Sequence, residues 1–273
     1  MWPLVAMENA LFADRSLDWK RRCAAIAGAG FTGVYAVPYP LGDDEWPRLQ
    51  TLGDEPARCG LRLAGIYANL DLAVPETAPA SRRLVRLFAE AEAGPRIELS
   101  VKWSGLEPVP PDWEGRLAGR LSALLAIARR RGIRVTLYPH SFYPLETTAQ
   151  AAWLAQRLGP DQVGYAFATS HVFALHSGEE TIALLARHAA RIDSFNVCGC
   201  RRTAPLPPAK CRHLPFGEGD LDPAPLLEAL ASGGYRGDVI VQGHGWTGDL
   251  PAMLRRCVAA YRRAVRTLPP LYP

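Results

Sequence analysis

Several stretches of the chain set polar residues at spacings that can do chemistry. RIELSVKW (96–103) alternates, with Leu99, Val101 and Trp103 on one face of an extended segment and Glu98, Ser100 and Lys102 on the other. A lysine on such a face, withdrawn from water, loses part of its proton affinity and can act as a base or form a Schiff base with a carbonyl. An ion pair with Glu98 or a neighbouring acid is the plainer alternative. GIRVTLYPH (132–140) turns Thr136 and Tyr138 away from Ile133, Val135 and Leu137, with His140 two residues further on the Tyr138 face. A phenol and an imidazole so placed can relay a proton or simply pack. His171 closes VGYAFATSH, Asn196 lies in RIDSFNV, and Gln242 and His244 share one face of VIVQGHGW. His176 and His188 fall at or within a predicted helix and read as structural histidines.

Cys198 and Cys200, then ten residues, then Cys211 and His213 make a further array. Zinc would accept those four ligands as a closed site. The spacing departs from C-x-x-C knuckles, and ordinary buried or rim thiols are the alternative. Six cysteines in 273 residues do not make a dense disulfide framework, so reduced thiols are expected.

These residues sit on a repeating strand and helix pattern. Strands are predicted at 4–7, within GAGFTGVYAVPYP, LRLAGIYANLDL and the segments above. Helices are predicted from Ser16 to Gly28, Asp44 to Gly60, about Ala80 to Ala93, Asp112 to Arg131, Thr147 to Leu158, about Ser177 to Ala190, from Asp222 and from about Leu250 to Thr267. Eight strands and eight helices at a spacing of roughly 30 residues predict a single (β/α)8 barrel over 1–273. A doubly wound sheet would need a Gly-rich turn after an early strand, but GAGFTG follows a helix and reads as a helix stop. Strand alternation then projects Tyr35, Tyr67, Asn69, Lys102, Tyr138, His140, His171, Asn196, Gln242 and His244 onto the C-terminal rim. Glu8, ending the first strand, can supply a carboxylate. Such a rim suits a small uncharged or anionic ligand with a planar or apolar part. The Pro-rich loop 200–219 is a candidate lid, or else a rigid surface excursion.

Composition is that of an ordinary globular chain, 48% hydrophobic and 21% charged. No apolar run approaches the roughly 20 residues that span a bilayer, and Glu8 interrupts the apolar start, so neither a membrane partner nor a signal peptide is expected. Cytoplasm is the default location. The net charge of +4 comes from arginines spread over predicted helices, which fits solvated helix faces and not a nucleic-acid track. Oligomeric state is left open.

GFTGVYAVP, GIRVTLYPH, VGYAFATSH, RIDSFNV, FGEGDLD and GGYRGDVIVQ, in this order over essentially the whole chain, resemble the xylose isomerase-like barrel superfamily of sugar isomerases, epimerases and type IV endonucleases. The resemblance implies one divalent metal, held by a Glu, an Asp, a His or Gln and a Glu ending strands five to eight. Those positions are here Tyr138, Ala168, Asn196 and Gln242. Two amides and a phenol do not replace three carboxylates around a hard cation, so no metal is expected at the usual site and no other cofactor is called for. It also implies substrate-binding roles for His171 and Arg202. The expected function is a sugar isomerase- or epimerase-like enzyme working without metal by acid–base chemistry beside a carbonyl. Lys102, Tyr138, His140 and His171 would carry the proton transfers, with Glu8, Tyr35, Tyr67, Asn69, Asn196, Arg202, Gln242 and His244 binding substrate. The alternative is a noncatalytic small-molecule-binding barrel. A phosphodiester-cleaving enzyme would need a zinc cluster that this rim does not supply.

Overall fold

The computed structural model describes residues 1–38, 49, 51–91, 96–204 and 210–268. Eight parallel strands form a closed ring: β1 (Leu4–Met7), β2 (Gly33–Ala36), β3 (Arg62–Asp71), β4 (Arg96–Lys102), β5 (Arg134–Tyr138), β6 (Val163–Ala168), β7 (Ser194–Val197) and β10 (Asp238–Val241). β10 pairs with both β1 and β7, which closes the barrel. β8 (Gly199–Arg202) and β9 (Cys211–Leu214) form a separate antiparallel hairpin inserted after β7.

The helices are α1 (Trp19–Ala29), α2 (Asp54–Arg58), α3 (Pro79–Glu90), α4 (Trp113–Arg130), α5 (Thr148–Leu158), α6 (Thr169–Leu175), α7 (Gly178–His188), α8 (Pro223–Ser232) and α9 (Leu250–Arg266). Local chemistry sets their ends. Thr147 and Ser177 each make a reciprocal capping box with the residue three positions on. Asp18, Asp222 and Asp249 accept from the first-turn amides of α1, α8 and α9. Gly30 leaves α1 at φ 97°, a conformation that costs a side chain dearly, so GAGFTG is the helix stop that its position predicts.

Strand alternation divides two layers. Ile97, Leu99, Val101, Val135, Leu137, Val163, Tyr165 and Phe167 face outward into the apolar layer beneath the helices. Their alternates fill the barrel. Its N-terminal end is crossed by ion pairs, Arg62 to Asp238 and Arg134 to Asp193, both at 2.6 Å. Thr136 donates to the same Asp193 carboxylate at 2.9 Å, and Gly164 leaves it the room a Cβ would occupy.

The second predicted helix, Asp44 to Gly60, falls partly outside the described residues, and α2 (Asp54–Arg58) lies within it. The helix predicted from about Ser177 to Ala190 is α7, capped by Ser177; α6 precedes it, because the chain turns straight from Ala168 into a helix. Within the stretch expected as a loop after β7, 199–202 and 211–214 pair as an antiparallel hairpin, and 205–209 lie outside the described residues.

Candidate active site

Tyr138 ends β5 and is 1% exposed, its ring edge-on to Tyr67 (5.1 Å between centroids) and to His171 (5.8 Å). Its Oη accepts from Gln242 Nε2 at 2.5 Å, across the barrel from the end of β10. Burial, with Tyr67 adding to it, holds the phenol's pKa well above its usual value, so the hydroxyl keeps its proton. Gln242 Nε2 also lies 3.4 Å from Asn196 Oδ1, and Asn196 Nδ2 donates to both oxygens of Glu98 at 3.1 and 3.2 Å. Ser194 Oγ donates to the same carboxyl. Glu98 is fully buried, and burial raises its pKa against the lowering effect of Ser194, Asn196 and Arg96.

Above Tyr138 the loops gather imidazoles. His140 and His171 lie 3.7 Å apart between centroids, and Tyr143 stacks on the far face of His140 at 4.0 Å and 13°. His140 Nδ1 is 2.7 Å from the Ser141 carbonyl, which can only accept, so Nδ1 carries the hydrogen and Nε2 the lone pair. Ser141 Oγ reaches His171 Nδ1 at 3.0 Å, tying the β5 loop to α6. His213 and His244 extend the group, with centroids 6.5 Å from His171 to His213 and 6.2 Å from His213 to His244. Burial lowers the pKa of His140 and of His213 to about 4 each, and lowers that of His171, where the neighbouring histidines add to the effect. Three clustered imidazoles therefore hold lone pairs at neutral pH. Phe142, in the same loop, is 54% exposed and is held at φ 71°, a strained backbone for a bulky residue.

Of the residues expected at the rim, Tyr67, Tyr138, His140, His171, Gln242 and His244 come together. Asn69 sits beside them on β3 and accepts from Ser100 Oγ. Lys102 faces its register partner Asp71, with Nζ 3.8 Å from the carboxylate, so a neighbouring acid matches it as the plainer alternative had it. Other expected residues stand elsewhere. Tyr35 is fully buried low in the barrel, its ring lying over Gly65, because that glycine alone leaves room for it. Asn196 is spent inside the barrel on Glu98. Glu8 accepts from Arg22 of α1 at 2.6 Å and from the Val37 amide at 3.0 Å, which ties its carboxylate to α1 and to the residue that follows β2. Arg202 donates to the Phe173 and His176 carbonyls, both at 2.6 Å, and lies over the Phe173 ring, so it caps α6.

The Cys198, Cys200, Cys211 and His213 array does not converge. The Cys198 and Cys200 sulfurs are 3.5 Å apart, whereas His213 joins the mouth histidines. No group of three or more His, Cys, Asp or Glu among the described residues is arranged to hold a metal ion. Nor does the family's ligand set fit: Ala168 has no donor atom, and Tyr138, Asn196 and Gln242 are bonded to one another. Sequence reasoning missed Ser141, Tyr143 and Asp71, and assigned His213 elsewhere. Asp71 was within reach, being two residues beyond Asn69 on the same strand face.

An inosose dehydratase of Lacticaseibacillus casei is 30% identical over 143 residues, 48% of this chain and 47% of that protein; the match spans about half the length of that relative. Among solved structures, a 3-keto-D-glucoside 4-epimerase from E. coli superposes with a TM-score of 0.71 at 18% identity, over 89% of this chain and 94% of that one. A xylose isomerase-like TIM barrel protein from Mycobacterium smegmatis, in complex with magnesium, gives 0.68 at 15% identity over 97% of both chains. At these identities the structures speak for the fold. The family model for the xylose isomerase-like TIM barrel matches residues 23–257, and the chain belongs to that family.

Proposed function

We propose that this protein is a sugar isomerase- or epimerase-like enzyme acting on a small carbohydrate-like or aromatic metabolite, by acid–base chemistry that uses no metal. The observation that carries this reading is the protonated Tyr138 hydroxyl set directly beneath the neutral His140 and His171 pair. A phenol held neutral donates to a carbonyl oxygen of the substrate. A neutral imidazole removes a proton from the adjacent carbon, and the enol that results is the common intermediate of isomerisation, epimerisation and water elimination. His140 Nε2 is the base of this scheme. The imidazolium that His140 then becomes returns this proton to carbon or to a departing hydroxyl, and His171, 3.7 Å away between centroids, is the second imidazole able to take it over. Lys102, matched by Asp71, contributes at the rim as a paired cation. The names of the relatives, a dehydratase of an inosose and an epimerase of a keto-glucoside, favour a ring ketone as substrate.

The test is solvent exchange. Chelator-treated protein is incubated in D2O with inososes, keto-glucosides and ketohexoses, and proton NMR follows deuterium uptake at the carbon beside the carbonyl. Uptake is expected in at least one, and Tyr138→Phe is expected to slow it by about 10²–10⁴-fold. Binding without uptake or product would show a noncatalytic barrel instead.

A further inference from the structure

The hydrogen-bond chain beneath Tyr138 has a direction, and one buried group fixes it. An ionised carboxyl only accepts hydrogen bonds. Burial raises the Glu98 pKa, yet its oxygens receive donors only: Ser194 Oγ and, at 3.1 and 3.2 Å, Asn196 Nδ2 converge on them, and these contacts with the Arg96 guanidinium favour the charged form. The Asn196 nitrogen must therefore face down, which turns Oδ1 up towards Gln242. Gln242 then presents its nitrogen, 3.4 Å from Oδ1 and 2.5 Å from Tyr138 Oη. The reverse orientation would set two carbonyl oxygens against each other in a site from which water is shut out. With its oxygen filled from below, Tyr138 has no use for its hydrogen in the barrel.

We infer that Glu98 is a positioning residue: its carboxylate orients Asn196 and Gln242 so that the Tyr138 hydroxyl donates into the mouth. The role rests on the acid–base reading above for its purpose, but not for its detection. Glu98 lies two amides away from Tyr138 and touches no substrate. Amides relay orientation and not protons, so the chain is a polarity setter and not a proton wire. Burial also keeps the Tyr138 hydroxyl protonated, so it retains a hydrogen to donate.

The phenolic C–O stretch separates the two states, because it lies lower when the oxygen accepts and higher when the hydroxyl donates back to its partner. Infrared difference spectra of ring-labelled tyrosine, with Tyr138→Phe subtracted, isolate the Tyr138 band without any ligand. Gln242→Glu supplies the reversed reference, since a carboxylate there can only accept from the phenol. In Glu98→Gln the lower amide can present either end to Asn196, so a second, higher band at the Gln242→Glu position is expected. A single band at the wild-type position would overturn the proposal. Should Glu98→Gln fail to fold, Asn196→Ala cuts the same link, with the same second band expected and the same unchanged band decisive against it. Loss of deuterium uptake in Tyr138→Phe is measured separately, so failure of the acid–base reading and failure of the orienting role are told apart.

Discussion

His140 shows how a residue's surroundings decide what it can do. An imidazole in water titrates near 6.5, where half its molecules would lack a usable lone pair. Burial lowers this one to about 4, and its Nδ1 hydrogen is held by the Ser141 carbonyl, so Nε2 remains a base through the whole physiological range. The sign is that of a depressed base: activity is retained above the folded pKa and lost as pH falls through it. The acid limb of kcat/KM is therefore expected near pH 4, with the His140 carbon resonance titrating at the same midpoint. An acid limb near 6.5 would assign the base to another group. At this scale much was legible. Tyr138, Gln242 and His140 follow from period-2 alternation and from the strand ends that alternation defines, whereas His171 lies on α6 and was indicated by the family resemblance. The fates of Arg202 and Glu8 were not legible, because their partners are backbone groups and a helix residue brought close only by the closed ring.

The hairpin β8–β9 is the element that the sequence pattern concealed. CGCRR and CRHL lack the apolar alternation of a buried strand, and a Pro-rich connection suggests an irregular loop. Pairing nevertheless sets Cys200 opposite His213 and brings that histidine to the mouth. Arg202 fastens the hairpin to the end of α6, where two carbonyls have no helical amide to receive them. Charged hydrogen bonds of this kind contribute about 1.5–3 kcal/mol each at most, and the pair shares one guanidinium. Arg202→Ala is accordingly expected to lower stability by about 2 kcal/mol, read as a drop in the urea midpoint, with ligand affinity changed less than threefold. A tenfold loss of affinity at unchanged stability would restore the substrate-binding role that family resemblance implied. The ends of α5 and α7, by contrast, could be read directly, since a capping box is a local arrangement of two side chains.

At the scale of the whole molecule, the parallel ring and its apolar outer layer were visible in the strand and helix alternation. What filled the ring was less so, because Tyr35, Asp193 and Glu98 depend on glycines and partners contributed by distant strands. No described helix is long and apolar enough to cross a membrane. The buried histidines also couple the fold to pH. His140, His171, His188 and His213 are all held below the ordinary imidazole pKa, chiefly by burial. The unfolded chain therefore binds more protons than the native one between about pH 6.5 and 4. Stability is full above that window and is lost as pH falls through it, by up to about 1.4 kcal/mol per unit for each histidine that stays neutral. Urea unfolding at pH 7.5, 6 and 5 is expected to show a falling midpoint with little change in slope; a flat midpoint would mean that these histidines charge without cost. The ion pairs across the N-terminal end of the barrel have one more consequence. With Arg62 paired to Asp238 and Arg134 to Asp193 across that end, and Tyr35 lying over Gly65 above them, the described residues plug it with charge and ring, so a small molecule bound among the histidines would come and go on their side of the barrel.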